Sequence, residues 1–131
     1  MGRQRVVTNV LALPQISGSL TIATDADLRE GLQFTQAGST APLDLTGIAF
    51  HMQVRLASDL TQIALDLSTA NGLLINGGPN GLLSWLVLAA QLAQVAPGAY
   101  VADLIAEGDG ATINLCQAGP IVVTVTQGVT C

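Results

Sequence analysis

From about residue 20 onward, hydrophobic and polar residues alternate along the chain in short segments. The clearest segment is Phe50–Leu56, in which four apolar residues alternate with His51, Gln53 and Arg55. Successive side chains of a β-strand point to opposite faces of the sheet, so this period of two predicts a strand with one buried face. We therefore expect His51, Gln53 and Arg55 to point outward.

Similar segments follow at spacings of about ten residues, which is typical of sandwiches and barrels. Residues 21–23, Leu32 with Phe34, residues 43–47 and residues 73–75 supply shorter pieces of the same kind. The positions predicted to face the core on the later strands are Ile63, Leu65, Leu67, Leu83, Trp85, Val87, Tyr100, Ala102, Leu104, Ile113, Leu115, Ile121, Val123 and Val125.

Glycine, asparagine, aspartate and proline separate these segments. Asn71-Gly72 predicts a turn, Asn76–Gly81 predicts the turn of a hairpin, and Glu107–Gly110 predicts another. Residues 88–94 lose the period of two and contain good helix formers, so they predict a short helical connection that ends before Pro97-Gly98.

About eight strands with one short helix predict an all-β fold, an antiparallel sandwich of immunoglobulin-like architecture. Residues 1–18 show no clear period and predict an extended N-terminal arm, which leaves residues 19–131 as the β-sandwich domain.

The chain carries few charges. Charged residues make up 10% of its 131 residues and apolar residues 50%, whereas soluble domains average about 25% charged. The four basic residues are Arg3, Arg5, Arg29 and Arg55, and the net charge is −5. This argues against nucleic acid as a partner, because phosphate binding needs clustered cations. A weakly charged surface instead predicts burial against other subunits, copies of the chain included.

The longest apolar stretch, residues 82–96, is shorter than the roughly 20 residues that a membrane-spanning helix needs. We therefore expect no membrane insertion. The N-terminus has no continuous apolar segment, and we expect no signal peptide. A disulfide between Cys116 and Cys131 would close a short loop, but Cys131 is the last residue of the sequence and we expect free thiols.

Candidate catalytic groups are few. A histidine-based triad or metal site would depend on His51, the single histidine, which we expect to be an ordinary outward residue of its strand. Asp25 with Asp27, and Glu107 with Asp109, are close in sequence but lack the spacing of a calcium loop, and we expect solvated turns.

Three further features favour structural roles. Gly77–Gly81 lacks the lysine of a phosphate-binding loop, and Cys116 has no basic neighbour to activate it. The four aromatic residues fall on inward positions, and we expect them to anchor the core; they are Phe34, Phe50, Trp85 and Tyr100. The sequence therefore predicts no catalytic, cofactor-binding or metal-binding residue, and no cofactor.

Six segments, taken in order, resemble a small β-sandwich module of tailed bacteriophages and prophages. It is similar to the N-terminal domain of upper baseplate proteins and to short proteins encoded near tail-fibre genes. The resemblance covers roughly residues 20–130, and its most specific pieces are Pro97–Asp103 and Gly119–Thr126. The remaining segments are residues 43–47, 50–55, 64–72 and 81–86.

The resemblance implies an immunoglobulin-like module that attaches tail-tip, baseplate, fibre or neck components to the virion, with no catalytic residue to carry over. The sequence stops at the module, which favours an adaptor over a receptor-binding protein. We therefore expect a non-enzymatic structural protein of the virion, assembled in the bacterial cytoplasm, whose partners are other virion proteins and copies of itself. The alternatives are a carbohydrate-binding or adhesin module, a head decoration protein, and a small hydrolase dependent on His51.

Overall fold

Nine β-strands form two sheets in the part of this computed structural model that is described, residues 13–16, 18–36, 38–117 and 119–127. The strands are β1 (Ser19–Ala23), β2 (Leu28–Gln33), β3 (Ala49–Leu56), β4 (Asp59–Ser68), β5 (Leu74–Asn76), β6 (Leu82–Val87), β7 (Gly98–Gly108), β8 (Ala111–Asn114) and β9 (Ile121–Thr126). One helix, α1 (Ala89–Leu92), confirms the predicted helical connection, and a 3-10 turn spans Gly78–Asn80.

The strand order is that of an immunoglobulin-like sandwich. The large sheet runs β1-β9-β7-β3-β4, with β8 also paired to β7, and the small sheet runs β2-β6-β5. Immunoglobulin domains place strands B, E and D in one sheet and G, F and C in the other, to which variable domains add C′. The two sheets here reproduce that division, which confirms the predicted all-β sandwich. One pair differs from the antiparallel prediction, because β1 and β9 run parallel.

The alternating residues meet in one core between the sheets. Met52 of β3 and Trp85 of β6 come from opposite sheets, and the indole N–H of Trp85 points at the Met52 sulfur at 3.1 Å. The rings of Phe34 and Phe50 pack with their centroids 6.0 Å apart. All four aromatic residues are buried, as predicted.

The helix and the start of β7 are held by two polar contacts. The Tyr100 hydroxyl donates a hydrogen bond of 2.6 Å to the carbonyl oxygen of Ala96, four residues upstream. This is the tyrosine corner of immunoglobulin folds, in which a tyrosine near the start of strand F bonds back to the preceding connection. The amide of Ala89, at the first turn of α1, donates to the Asp27 carboxylate at 2.8 Å.

Two predicted strand features were wrong. Ile63 was expected in the core but is 47% exposed, because the β3–β4 register shifts between Val54 and Arg55. Val54 pairs with Leu65, whereas Arg55 pairs with Ile63, so Ile63 shares the outward face of Arg55. Residues 43–45 form no regular strand. Leu45 is nevertheless buried, and its backbone bonds to Gly78 and to the Asn76 side chain.

The predicted turns all form, but one has a different role. Asn71-Gly72 lies between β4 and β5, which belong to different sheets, so it crosses from one sheet to the other. The turn after Asn76 does connect the paired strands β5 and β6, as predicted. Asp109-Gly110 connects β7 and β8 with both φ angles positive, the geometry of a tight hairpin turn.

The described end of the predicted arm packs on the sandwich. Leu13 is buried in the core, and the Ile16 amide donates to the Leu115 carbonyl oxygen at 2.7 Å. The Gln15 side chain bonds to the Asn114 carbonyl oxygen and to the Gln117 amide. The arm prediction for residues 1–12 and for Ser17, and the thiol prediction for Cys131, lie outside the described residues.

Candidate protein-binding surface

The outer face of the large sheet contains a cleft of about 530 Å³. Its floor is made by the outward side chains of the central strands β3 and β7, and its rim by the tip of β4 and the segment after β8. We call it the sheet cleft, and its principal lining residues are His51, Gln53, Arg55, Leu60, Val101, Asp103, Ile105, Asn114 and Gln117.

The cleft exists because β7 changes its pairing partner. Residues 98–102 of β7 pair with β9, whereas residues 105–108 pair with β8. Between β8 and β9 the chain leaves the sheet, so at Asp103 β7 is paired with β3 on one side and has no regular strand on the other. The exposed Asp103 side chain lines the cleft at this gap.

Polar contacts fix the side chains on the β4 side of the cleft. His51 Nε2 contacts Asp66 Oδ1 at 2.5 Å. Arg55 donates to the Leu60 carbonyl oxygen at 2.7 Å and to the Gln53 side chain. Because these groups hold one another, the surface keeps its shape before any partner binds, which lowers the entropy cost of association.

Aliphatic side chains surround these polar groups. Leu60 is 56% exposed on the rim, and Val122 of β9 is 52% exposed beside its register partner Val101. Ile105 lies in the cleft beside His51. The large sheet therefore presents a surface on which aliphatic side chains surround groups of both charges, Arg55 and Asp103.

The small sheet presents a second apolar surface on its outer face. Ile75, Ser84 and Gly31 lie in one row across β5, β6 and β2, with the exposed Leu82 beside them. A Cβ atom on Gly31 would lie 3.2 Å from Leu82 Cδ1, so the absence of a side chain there lets Leu82 lie over β2. We call Ile75, Leu82 and the half-buried Leu86 the small-sheet patch.

His51 lies where the sequence predicts, on the outward face of β3. Asp66 and Ser68, both on β4, flank it, which brings together the three residue types of a catalytic triad. The contacts do not have the order that a triad needs. Nε2 of His51 contacts Asp66, and Ser68 Oγ accepts a hydrogen bond from the Asn71 amide. The grouping of His51, Asp66 and Ser68 could not be predicted from their spacing in the sequence, because the grouping depends on the β3–β4 register.

The carboxylates considered as candidate ion ligands in the sequence lie in turns and at the end of a strand. Asp27 accepts from the Ala89 amide and lies 3.3 Å from Arg29, and the backbone hydrogen bond is the main cause that lowers the pKa of Asp27. Glu107 ends β7 and Asp109 forms the hairpin turn. Within the described ranges, no three potential metal-ligating side chains of histidine, cysteine, aspartate or glutamate form a group.

The other sequence candidates also serve the fold. Gly81, with φ +70°, closes the β5–β6 turn against the carbonyl oxygens of Phe34 and Leu43. Cys116 is a buried free thiol, and burial raises its pKa. Stacking of sugars on an aromatic side chain would require an exposed ring, and each ring of this chain is at most 8% exposed. In the described part of the chain, no helix is both long and apolar enough to span a membrane.

Comparison with known proteins adds little. The chain matches no protein-family model, and no curated protein is similar to it in sequence. A solved structure, extracellular domains 3–5 of Drosophila OTK, aligns with 87% of this chain and 36% of its own length. The alignment has 17% identity and a TM-score of 0.31, and the chain thus spans about a third of that structure. The fold assignment rests on the strand order of this chain.

Proposed function

We propose that this protein is a non-enzymatic structural subunit of a tailed phage or phage-like particle, an adaptor that binds other virion proteins and copies of itself. The observation that carries the proposal is the exposure of aliphatic side chains on both sheets of a domain with few charges. Such surfaces are typical of protein contacts. The exposed large aliphatic residues are Leu60, Ile63, Ile75, Leu82, Leu88 and Val122.

Placement in a phage particle is supported by the resemblance of the sequence to phage tail modules. Its two most specific pieces, Pro97–Asp103 and Gly119–Thr126, contribute to β7 and β9, which pair with each other in the large sheet. The first piece also contains Tyr100, whose hydroxyl holds the connection before β7. The pieces thus form one local unit of the fold. We propose the tail tip, baseplate, fibre attachment or neck as the location.

The test is to purify particles from the phage or prophage that encodes the chain, identify their proteins by mass spectrometry, and locate this subunit by cryo-electron microscopy. The proposal expects stoichiometric incorporation in the tail or neck. Incorporation only on the head would favour the decoration-protein alternative. Absence from particles that are otherwise complete would refute the proposal.

A surface variant tests whether the exposed aliphatic residues are the reason for incorporation. We expect Ile75→Gln with Leu82→Gln to fold normally, because both side chains are exposed, but to lower incorporation into particles. The matched control is Ser58→Gln with Ala70→Gln, two exposed turn positions outside the small-sheet patch. Equal incorporation of both variants would remove the small-sheet patch from the proposal.

A further inference from the structure

We propose that the outer face of the large sheet binds the same face of a second copy of the chain, with Arg55 of each copy paired to Asp103 of the other. The inference deepens the proposed function and rests on it, because it names the surface through which the chain binds copies of itself. Three observations support it: the uncompensated charge of Arg55, the position of Asp103 on the same face, and the aliphatic side chains around both.

Arg55 is the described arginine whose charge no carboxylate compensates. The side chains of the described residues include nine carboxylates and two arginines, a net charge of −7 with histidine neutral, so two copies repel each other unless a cation lies between them. Arg29 lies 3.3 Å from the Asp27 carboxylate. Arg55 instead donates to neutral acceptors, the Leu60 carbonyl oxygen and the Gln53 side chain. An opposite-charge contact between the described parts of two copies therefore requires Arg55, unless it breaks the Arg29 ion pair.

A carboxylate lies near Arg55 on the same face. In the register of β3 and β7, Arg55 pairs with Val101 and Gln53 pairs with Asp103, so Arg55 and Asp103 occupy neighbouring rows of outward side chains. Asp103 is exposed, and no described residue forms a hydrogen bond or an ion pair with its carboxylate. The face therefore carries one uncompensated group of each sign.

Such a face is complementary to itself. A two-fold interface brings the same patch of both copies together, so the patch must supply both members of every contact. A two-fold axis that runs across the strands, between the two rows, would place Arg55 of each copy over the partner's row of Gln53 and Asp103. Both Arg55–Asp103 pairs then form by symmetry. Asp66, the other register partner of Gln53, is already bound to His51.

Aliphatic side chains surround the two charged groups. Val101 and Val122 continue the row of Arg55 across β7 and β9, and Val122 is 52% exposed. Leu60 is 56% exposed on the β4 side, and Ile105 also lines the sheet cleft. A second copy bound over this face removes these side chains from water, which favours association. The exclusion of water also strengthens the ion pairs between the copies.

The experiment measures self-association of the full chain by sedimentation velocity over a range of concentrations. We expect the wild-type chain to associate, and Arg55→Glu and Asp103→Arg each to weaken association at least about a hundredfold, because each places like charges opposite each other in both pairs. The matched controls, Arg29→Glu and Glu30→Arg, make the same changes of net charge on the small sheet and should have little effect. A thermal melt of each variant establishes that it is folded.

Mixing the two reversal variants tests the reciprocal pairing. In a mixed dimer both pairs regain opposite charges, because one chain carries two carboxylates at these positions and the other carries two guanidinium groups. We expect mixed dimers in native mass spectrometry, with one variant labelled by ¹⁵N, at concentrations where neither variant associates alone. A chain that carries both Arg55→Glu and Asp103→Arg should associate like the wild type.

Three results would overturn the inference: a wild-type monomer at every concentration, association that both reversals leave unchanged, or the absence of mixed dimers. If Arg55→Glu does not fold, Arg55→Gln replaces it and should weaken association about tenfold. Association of that variant as tight as the wild type would equally overturn the inference. Incorporation into particles would still support the proposed function in each case, and absence from particles would refute that function.

Discussion

At the residue scale, three aspartate side chains accept hydrogen bonds from nearby backbone amides and stabilise turns or the start of α1. Asp44 and Asp59 each accept a hydrogen bond from the amide two residues later and from a threonine hydroxyl, in Thr46 and Thr61. Such Asx turns stabilise loops without any ligand. The same holds for Asp27 at the start of α1. These carboxylates therefore contribute to stability, and the contribution depends on pH.

Acid should destabilise the protein through these three groups. Hydrogen bonds to Ala89, Thr46 and Thr61 lower the pKa of Asp27, Asp44 and Asp59 respectively. A lowered folded-state pKa adds stability that is complete above the unfolded value of about 3.9 and is lost as the pH falls through the folded pKa. Melting temperatures should thus be constant near neutral pH and fall below about pH 4.

The matched control for the acid prediction is Asp44→Asn with Asp59→Asn. Asparagine keeps an oxygen acceptor for the threonine contacts but does not titrate in this range. The variant should melt lower at neutral pH and lose less stability in acid than the wild type. Identical pH profiles for both proteins would contradict the assignment.

Tyr100 offers a second test at this scale. Tyr100→Phe keeps the buried ring but leaves the Ala96 carbonyl oxygen without its 2.6 Å hydrogen bond. We expect the free energy of unfolding to fall by about 1–2 kcal/mol, measured by urea denaturation. An unchanged midpoint would show that water replaces the hydroxyl at no cost.

At the scale of elements, the turn between β5 and β6 depends on a close approach of three backbone segments. A Cβ atom on Gly81 would lie 2.5 Å from the Phe34 carbonyl oxygen and 2.8 Å from that of Leu43. Gly47 has a similar positive φ of +83°, but nothing lies within 4 Å of its Cβ position. The two glycines therefore separate the cost of backbone conformation from the cost of a steric clash.

We expect Gly47→Ala to cost about 1–2 kcal/mol, the usual penalty for a left-handed alanine. Gly81→Ala should cost about 3 kcal/mol or more, because the backbone must also move. Chemical denaturation of both variants checks the difference. Equal losses of unfolding free energy in the two variants would mean that the loop after β2 moves away from the new Cβ atom at no cost in stability.

At the scale of the whole molecule, one core joins both sheets and the segment after β8. Cys116 belongs to that core and is 4% exposed. Cys116 also lines the sheet cleft, but its low exposure leaves little of the side chain accessible to a reagent until the structure opens, and burial raises the pKa of the thiol.

In a Cys131→Ser background, we therefore expect a disulfide reagent such as DTNB to label Cys116 at least about a thousandfold more slowly in the native protein than in urea. Low urea should accelerate labelling in proportion to global unfolding. A fast rate that is insensitive to urea would show local opening of the segment between β8 and β9.

The sequence by itself determined the strands, because alternation fixes which face of each strand is buried: β3, β7 and β9 follow it throughout. It also determined the short helix, the β5–β6 and β7–β8 turns and the buried aromatic residues. The exposure of Ile63 was not predicted because a register shift depends on the partner strand. The parallel pairing of β1 with β9 was not predicted because it joins segments about a hundred residues apart. Only the tertiary structure decided the sheet cleft, because its floor joins β3 to β7, strands that pair residues far apart in sequence such as Gln53 and Asp103.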